Sequence, residues 1–112
     1  MKKVRVFIYC RVGRKDQLAQ AGQVNALRAY TQMAGYEEVG LAAEYGVFHT
    51  ADRPGLNQAT QAIIDGNADM VLVHNICCIG RDRHMVQDYI DLLAKYGGKL
   101  CCLKEGLTLP EA

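Results

Sequence analysis

Val4 to Gln17 reads VRVFIYCRVGRKDQ, and the fold turns on how this stretch is read. Its first half, Val4 to Cys10, is rich in β-branched and aromatic residues and carries one charge. That composition suits a strand buried on both faces of a parallel sheet. The second half turns basic and polar through Arg11, Gly13, Arg14, Lys15, Asp16 and Gln17. A buried strand that ends in a basic, glycine-containing turn and then opens a helix points cations at the carboxyl edge of the sheet. In open α/β folds that edge is where ligands bind.

With 112 residues, 50% of them hydrophobic and 22% charged, the chain has the size and balance of one globular domain. A net charge of +1 gives no bulk attraction to nucleic acid, so an anion site has to come from local clustering. The Met-Lys-Lys start runs straight into a short apolar strand, too short for a signal sequence or a membrane span. The five cysteines are odd in number, and two pairs are adjacent. Free thiols in a reducing cytoplasm are the expected state.

Beyond the first strand the pattern alternates. Gln17 to Ala34 carries Val24, Leu27, Tyr30 and Ala34 at the spacing of one helix face, and Gly35 is placed to stop it. Val39 to Tyr45 reads as a second strand, less apolar and suited to an edge. A loop from Gly46 leads to Pro54, which favours a first helical turn. Gly55 to Asp65 then shows Leu56, Ala59 and Ile63 on one face and ends at Gly66. Asp69 to His74 is a short central parallel strand, and Asn75 to Arg81 a loop. Asp82 is an N-cap for a helix to Tyr96, with Met85, Tyr89, Leu92 and Tyr96 expected inward. Gly97-Gly98 breaks it, and Lys99 to Lys104 forms a fourth strand. Glu105 to Ala112 are expected to form no further element. The chain reads as a compact, parallel α/β sandwich with no repeat and no linker.

Arg11, Arg14, Lys15, Arg53, Arg81 and Arg83 all fall in predicted loops or at helix starts near carboxyl ends of strands. Taken singly they read as solvated surface charges. Taken as a group they make a phosphate-sized anion site, which the planar guanidinium suits by bidentate contact.

Tyr9-Cys10-Arg11-Val12, followed by Gln17, Gln23, Leu27, Tyr30 and Gly35, resembles the opening of the resolvase/invertase serine recombinases. Asp52-Arg53-Pro54-Gly55-Leu56 resembles that family's R-P-x-L segment. Asp69 to Val73 resembles the strand before its L-D-R-L-x-R motif, which here reads Ile76-Cys77-Cys78-Ile79-Gly80-Arg81. The likeness runs in order from Val4 to about Leu103. It implies a flavodoxin-like topology: a mostly parallel four- to five-stranded sheet with helices on both faces, over residues 1–105, with 106–112 a short tail. It also implies a serine that attacks a DNA backbone phosphate and an arginine cluster that binds that phosphate, without metal or cofactor. Arg11, Arg53 and Arg81 occupy three of those arginine positions.

The departures from the pattern bear on activity. Gly13 stands where the family carries its nucleophile, and Cys77-Cys78 replaces an Asp-Arg pair. The family's acidic and serine residues are not recognisable in Gly46 to Ala51. The family's dimerisation helix and helix-turn-helix domain are not represented. The expectation is a catalytically inactive homologue that binds DNA phosphate weakly, or pairs with itself or with an intact recombinase, away from membranes.

A rival pattern is Cys77-x5-Arg83 between a strand and a helix, which resembles the phosphate loop of cysteine phosphatases and arsenate reductases. No C-x2-C spacing occurs, so no metal site is expected from the cysteines. His74 reads as a core-edge residue, and His49 and His84 as surface residues near the basic edge.

Overall fold

The computed structural model describes residues 3–13, 16–46 and 53–110. In chain order it runs β1 (Arg5–Val12), α1 (Gln17–Met33), β2 (Glu37–Tyr45), α2 (Pro54–Ile64), β3 (Met70–Val73), a short 3-10 turn (Ile76–Cys78), α3 (Arg83–Lys95), β4 (Lys99–Cys102) and β5 (Leu107–Leu109). The sheet order is β2-β1-β3-β4-β5, parallel except for the antiparallel β4–β5 pair. The expected α/β architecture, a mostly parallel sheet of four to five strands, is therefore present with five, and β2 is an edge strand as its polarity suggested.

The sheet is covered on both sides. On one face Val6, Ile8, Met70, Leu72 and Cys101 pack with Leu27 of α1. On the other, Phe7, Tyr9, Val71, Val73, Leu100 and Cys102 pack with α2 and α3. Asp16 caps α1 by accepting from the Ala19 N–H (3.0 Å), and Asp82 caps α3 by accepting from His84 N–H (2.8 Å). Pro54 occupies the first turn of α2. Each helix is followed by a glycine in the left-handed region: Gly35, Gly66 and Gly97, with φ of 74°, 76° and 78°.

Four expectations are corrected. Glu105 to Ala112 are not without structure, because Leu107–Leu109 pair antiparallel with Leu100–Cys102 as β5. A three-residue strand is too short to announce itself by alternation. Arg11 is not in a loop: β1 continues to Val12, and Arg11 is buried opposite Glu44 of β2. On α1, Thr31 is buried beside Leu27, with its hydroxyl donating to the Leu27 carbonyl (2.8 Å), whereas Ala34 is an exposed cap.

The fourth correction concerns α3, whose inward face is Val86, Tyr89, Ile90 and Leu93. Met85, Leu92 and Tyr96 are 47%, 38% and 44% exposed. The helix has two adjacent apolar stripes that share Tyr89, and the sheet takes the one a residue further round. Leu93→Ala is expected to lower stability by about 2–5 kcal/mol. Leu92→Ala should cost less than about 1 kcal/mol. Urea unfolding of the two variants checks which stripe faces the sheet.

Candidate functional site

The carboxyl ends of β1 and β3 meet under the 3-10 turn that follows β3. The Cys78 thiol donates toward the Arg11 carbonyl (3.8 Å) and toward Asn75 Oδ1 (4.0 Å), so the turn lies across the end of β1. Beneath it opens a recess of about 240 Å³, lined by Arg11, Gly13, Gln23, Gly46, Asn75 and Cys77 among others.

Arg11 is 6% exposed and lines this recess. Its guanidinium lies flat against Gly46: a β-carbon built there would fall 2.7 Å from Nη2 and 3.4 Å from Cζ. Any side chain at position 46 would push the charge aside. Gly13 is different, because among the described residues a β-carbon there meets only the Gly46 carbonyl oxygen, at 3.9 Å. Its φ also lies outside the left-handed region, so the backbone would accept a serine without strain.

Arg53, 8% exposed, caps the start of α2 and turns inward. Its terminal nitrogens donate to the carbonyls of Cys78 and Ile79, and Nη2 also donates to the Tyr9 hydroxyl (3.0 Å). The Tyr9 hydroxyl in turn donates to Glu44 Oε2, while Glu44 Oε1 accepts the Gly55 N–H (2.9 Å) in the first turn of α2. One network thus joins β1, β2, α2 and the 3-10 turn. Burial first, and then the Glu44 carboxylate, push the Tyr9 hydroxyl pKa far above its ordinary value.

Arg81 is exposed and lines a second recess of about 250 Å³ with Cys77, Arg83, Ile76, Val86 and Ile90. Arg11, Arg53 and Arg81 each line a different recess among those described. What they share is the turn from Cys77 to Gly80: Arg11 lies below it, Arg53 is bonded to it, and Arg81 follows it. Arg14, Lys15, His49 and Asp52 lie outside the described residues. His84 is exposed, and His74 is half-buried with Nδ1 3.1 Å from the Asn75 amide nitrogen.

The Cys77-x5-Arg83 pattern does bring the thiol and Arg83 to one recess. A phosphate loop also needs successive N–H groups turned toward the anion. Here the N–H groups of Cys78, Ile79 and Gly80 donate back to the carbonyls of Asn75 and Ile76 (3.1, 3.0 and 3.4 Å). The turn consumes its own donors, so the cradle expected of a phosphatase loop does not form.

Of the five free cysteines only Cys77 is exposed. The Cys10 thiol donates to Gln23 Oε1 (3.1 Å), and burial pushes its pKa up to about 12. Cys102 is also pushed up to about 12, chiefly by burial, and burial raises Cys78. Among the described residues no three His, Cys, Asp or Glu side chains gather as a metal ion would require.

Sequence reasoning missed Glu44, Asn75 and the bridging role of the Tyr9 hydroxyl. For Glu44 a signal existed: it is an acid at the carboxyl end of a strand whose other late residues are small or apolar. A carboxylate there has to meet the same edge as the arginines.

A family model described as "Resolvase, N terminal domain" matches residues 6–112. The chain belongs to the resolvase family. Its fold is shared with solved structures of low identity. The N-terminal catalytic domain of TP901-1 integrase is 21% identical, with a TM-score of 0.84 over 96% of this chain and 83% of that one. A resolvase family site-specific recombinase from Streptococcus pneumoniae is 23% identical, with a TM-score of 0.84 over 98% and 78%. The C-terminal catalytic domain of ISC1926 TnpA, an IS607-like serine recombinase, is 23% identical, with a TM-score of 0.83 over 89% and 70%. No curated protein matches the chain.

Arg53→Ala leaves the Tyr9–Glu44 pair and two carbonyls without their cation, and is expected to cost about 3–5 kcal/mol in urea unfolding. In the native state one thiol of the five, Cys77, should react with Ellman's reagent, and all five after denaturation. The raised thiol pKa values set a pH limit. Stability is full below the unfolded thiol value of about 8.5 and is lost as pH climbs toward the folded values of about 12 at Cys10 and Cys102. A falling thermal midpoint above pH 8.5 checks the sign.

Proposed function

We propose that this resolvase-family domain binds the DNA phosphate backbone without cutting it. The observation that carries the reading is the recess at the end of β1. It is lined by the buried Arg11 and by Gly13, and no hydroxyl-bearing residue lines it among the described residues. Strand cleavage needs an attacking oxygen held beside the phosphate. Loss of the nucleophile from a cooperating set lowers rate by on the order of a millionfold. Cys77 and Cys78 stand where a further cation and its acidic neighbour would be, so the developing charge has fewer partners.

Arg11 and Arg81 are the residues assigned to phosphate, one from below and one from beside the 3-10 turn. Arg53 supports the same turn from beneath. Binding of this kind is modest and without sequence preference, because backbone contacts position a protein but do not read bases. Association with a second copy or an intact recombinase fits the exposed apolar residues Met85 and Leu92 on α3. No helix among the described residues is long and apolar enough to cross a membrane.

Incubation with supercoiled plasmid is expected to leave it uncut, and a covalent protein–DNA adduct formed by the unaltered chain would overturn the reading. Cleavage by Gly13→Ser would assign the loss to position 13 alone. An inert Gly13→Ser would assign it also to Cys77-Cys78. DNA retention should weaken steeply as salt rises. Arg11→Ala with Arg81→Ala should reduce the log–log salt slope by about 2.

A further inference from the structure

A second recess lies between the 3-10 turn, α3 and β5, and two kinds of residue line it. Ile76, Val86, Ile90 and Leu109 give it aliphatic walls, while Cys77, Arg81, Arg83 and Gln87 supply its polar groups. Val86 and Ile90 stand one helical turn apart on the inward face of α3. Leu109 closes β5, the strand that pairs antiparallel at the end of the sheet. At about 250 Å³ the space falls just short of the roughly 300–1,000 Å³ of pockets that take drug-sized ligands. Its occupant has to be small.

The charge of the lining has one sign. Its two ionic residues are both arginines, and among the described residues no aspartate or glutamate joins them. Glu105 accepts the Ile76 N–H (3.1 Å) but is not part of the lining. Arg83 opens α3 with its side chain exposed, and no described residue forms an ion pair with it. A planar guanidinium there can take a carboxylate through two parallel hydrogen bonds. An inorganic anion would leave the aliphatic walls unused, and no aromatic ring lines the recess to stack a nucleobase. An apolar body covering those walls adds the hydrophobic part of the binding energy. We propose that this recess binds a small organic carboxylate with a compact apolar body, its carboxylate on Arg83 and its body against Val86, Ile90 and Leu109. The site is separate from the recess of Arg11 and takes its ligand whether or not the domain holds DNA.

Cys77 reports on occupancy, because its thiol is exposed and lines the same recess. The test follows reaction of the folded full chain with dithiodipyridine, a neutral disulfide. The Cys77 thiolate attacks one sulfur, the S–S bond breaks, and the other half leaves, takes up a proton and is read as pyridinethione. The probe ligand is para-tert-butylbenzoate. It is expected to slow the reaction saturably, by about tenfold at a concentration of roughly ten Kd. Acetate, which has the charge without the body, and para-tert-butylbenzamide, which has the body without the charge, should not protect at that concentration. Arg83→Gln, a change at an exposed position, should abolish protection by the benzoate, with a circular dichroism melt establishing that the variant is folded. Absence of saturable protection overturns the proposal. Equal protection by the amide overturns the carboxylate pairing, and equal protection by acetate overturns the apolar body. Protection that survives in Arg83→Gln overturns it too, by placing the carboxylate elsewhere.

Discussion

A guanidinium cannot sit inside a small α/β domain unless acceptors surround it, and Arg53 is placed there by the chain's most extensive buried polar network. Its partners are the Tyr9 hydroxyl and the carbonyls of Cys78 and Ile79, with Glu44 balancing the charge through Tyr9. The cost of removing such a charge from water is large, and the hydrogen bonds of its two terminal nitrogens are what offset it. The arrangement is therefore close to all-or-none. Strand β1 supplies the phenol, β2 the carboxylate, α2 the cation and the 3-10 turn the carbonyls, so the four elements are fixed against one another. The recess at the end of β1 takes its shape from that constraint, because the turn that covers it is the one Arg53 holds.

Arg11 and Arg53 show how one residue type does two kinds of work at similar burial. Arg53 is bonded to main-chain oxygens across the core. Arg11 packs on the backbone of Gly46 and lines the recess at the end of β1. Both are within a few per cent of full burial, so burial alone does not separate the two roles. What separates them is their surroundings: Arg53 is bonded to carbonyls of the 3-10 turn, and Arg11 packs on Gly46 and lines the recess.

Much of the architecture was legible because its signals are local. The run from Val6 to Cys10, the apolar MVLV of β3, the Asp16 and Asp82 caps and the three terminating glycines each act over a few residues. The misreadings arose where tertiary context chose between local options. α3 offers two apolar stripes, and only the shape of the sheet surface selects Val86, Ile90 and Leu93 over Met85, Leu92 and Tyr96. Leu107–Leu109 become a strand because β4 presents a free edge, a property of another part of the chain. At the site, the motif likeness identified which arginines to examine. It carried no information on whether each guanidinium points in or out, since that depends on the carbonyls of the turn and on the absence of a side chain at Gly46.

The distinction changes what the arginines imply about activity. A phosphate-binding residue whose guanidinium is satisfied by the protein's own carbonyls is explained by folding alone, whatever the domain does. Arg53 therefore carries no weight in deciding whether the chain handles DNA, although it occupies a family position. Arg11 differs in lining the recess at the end of β1, where its side chain packs on Gly46. Gly13 sharpens the contrast: the recess wall carries no side chain at that position, so neither a charge nor a hydroxyl comes from it. On the function proposed above, binding and cleavage draw on separate residues, so a domain can keep the first without the second.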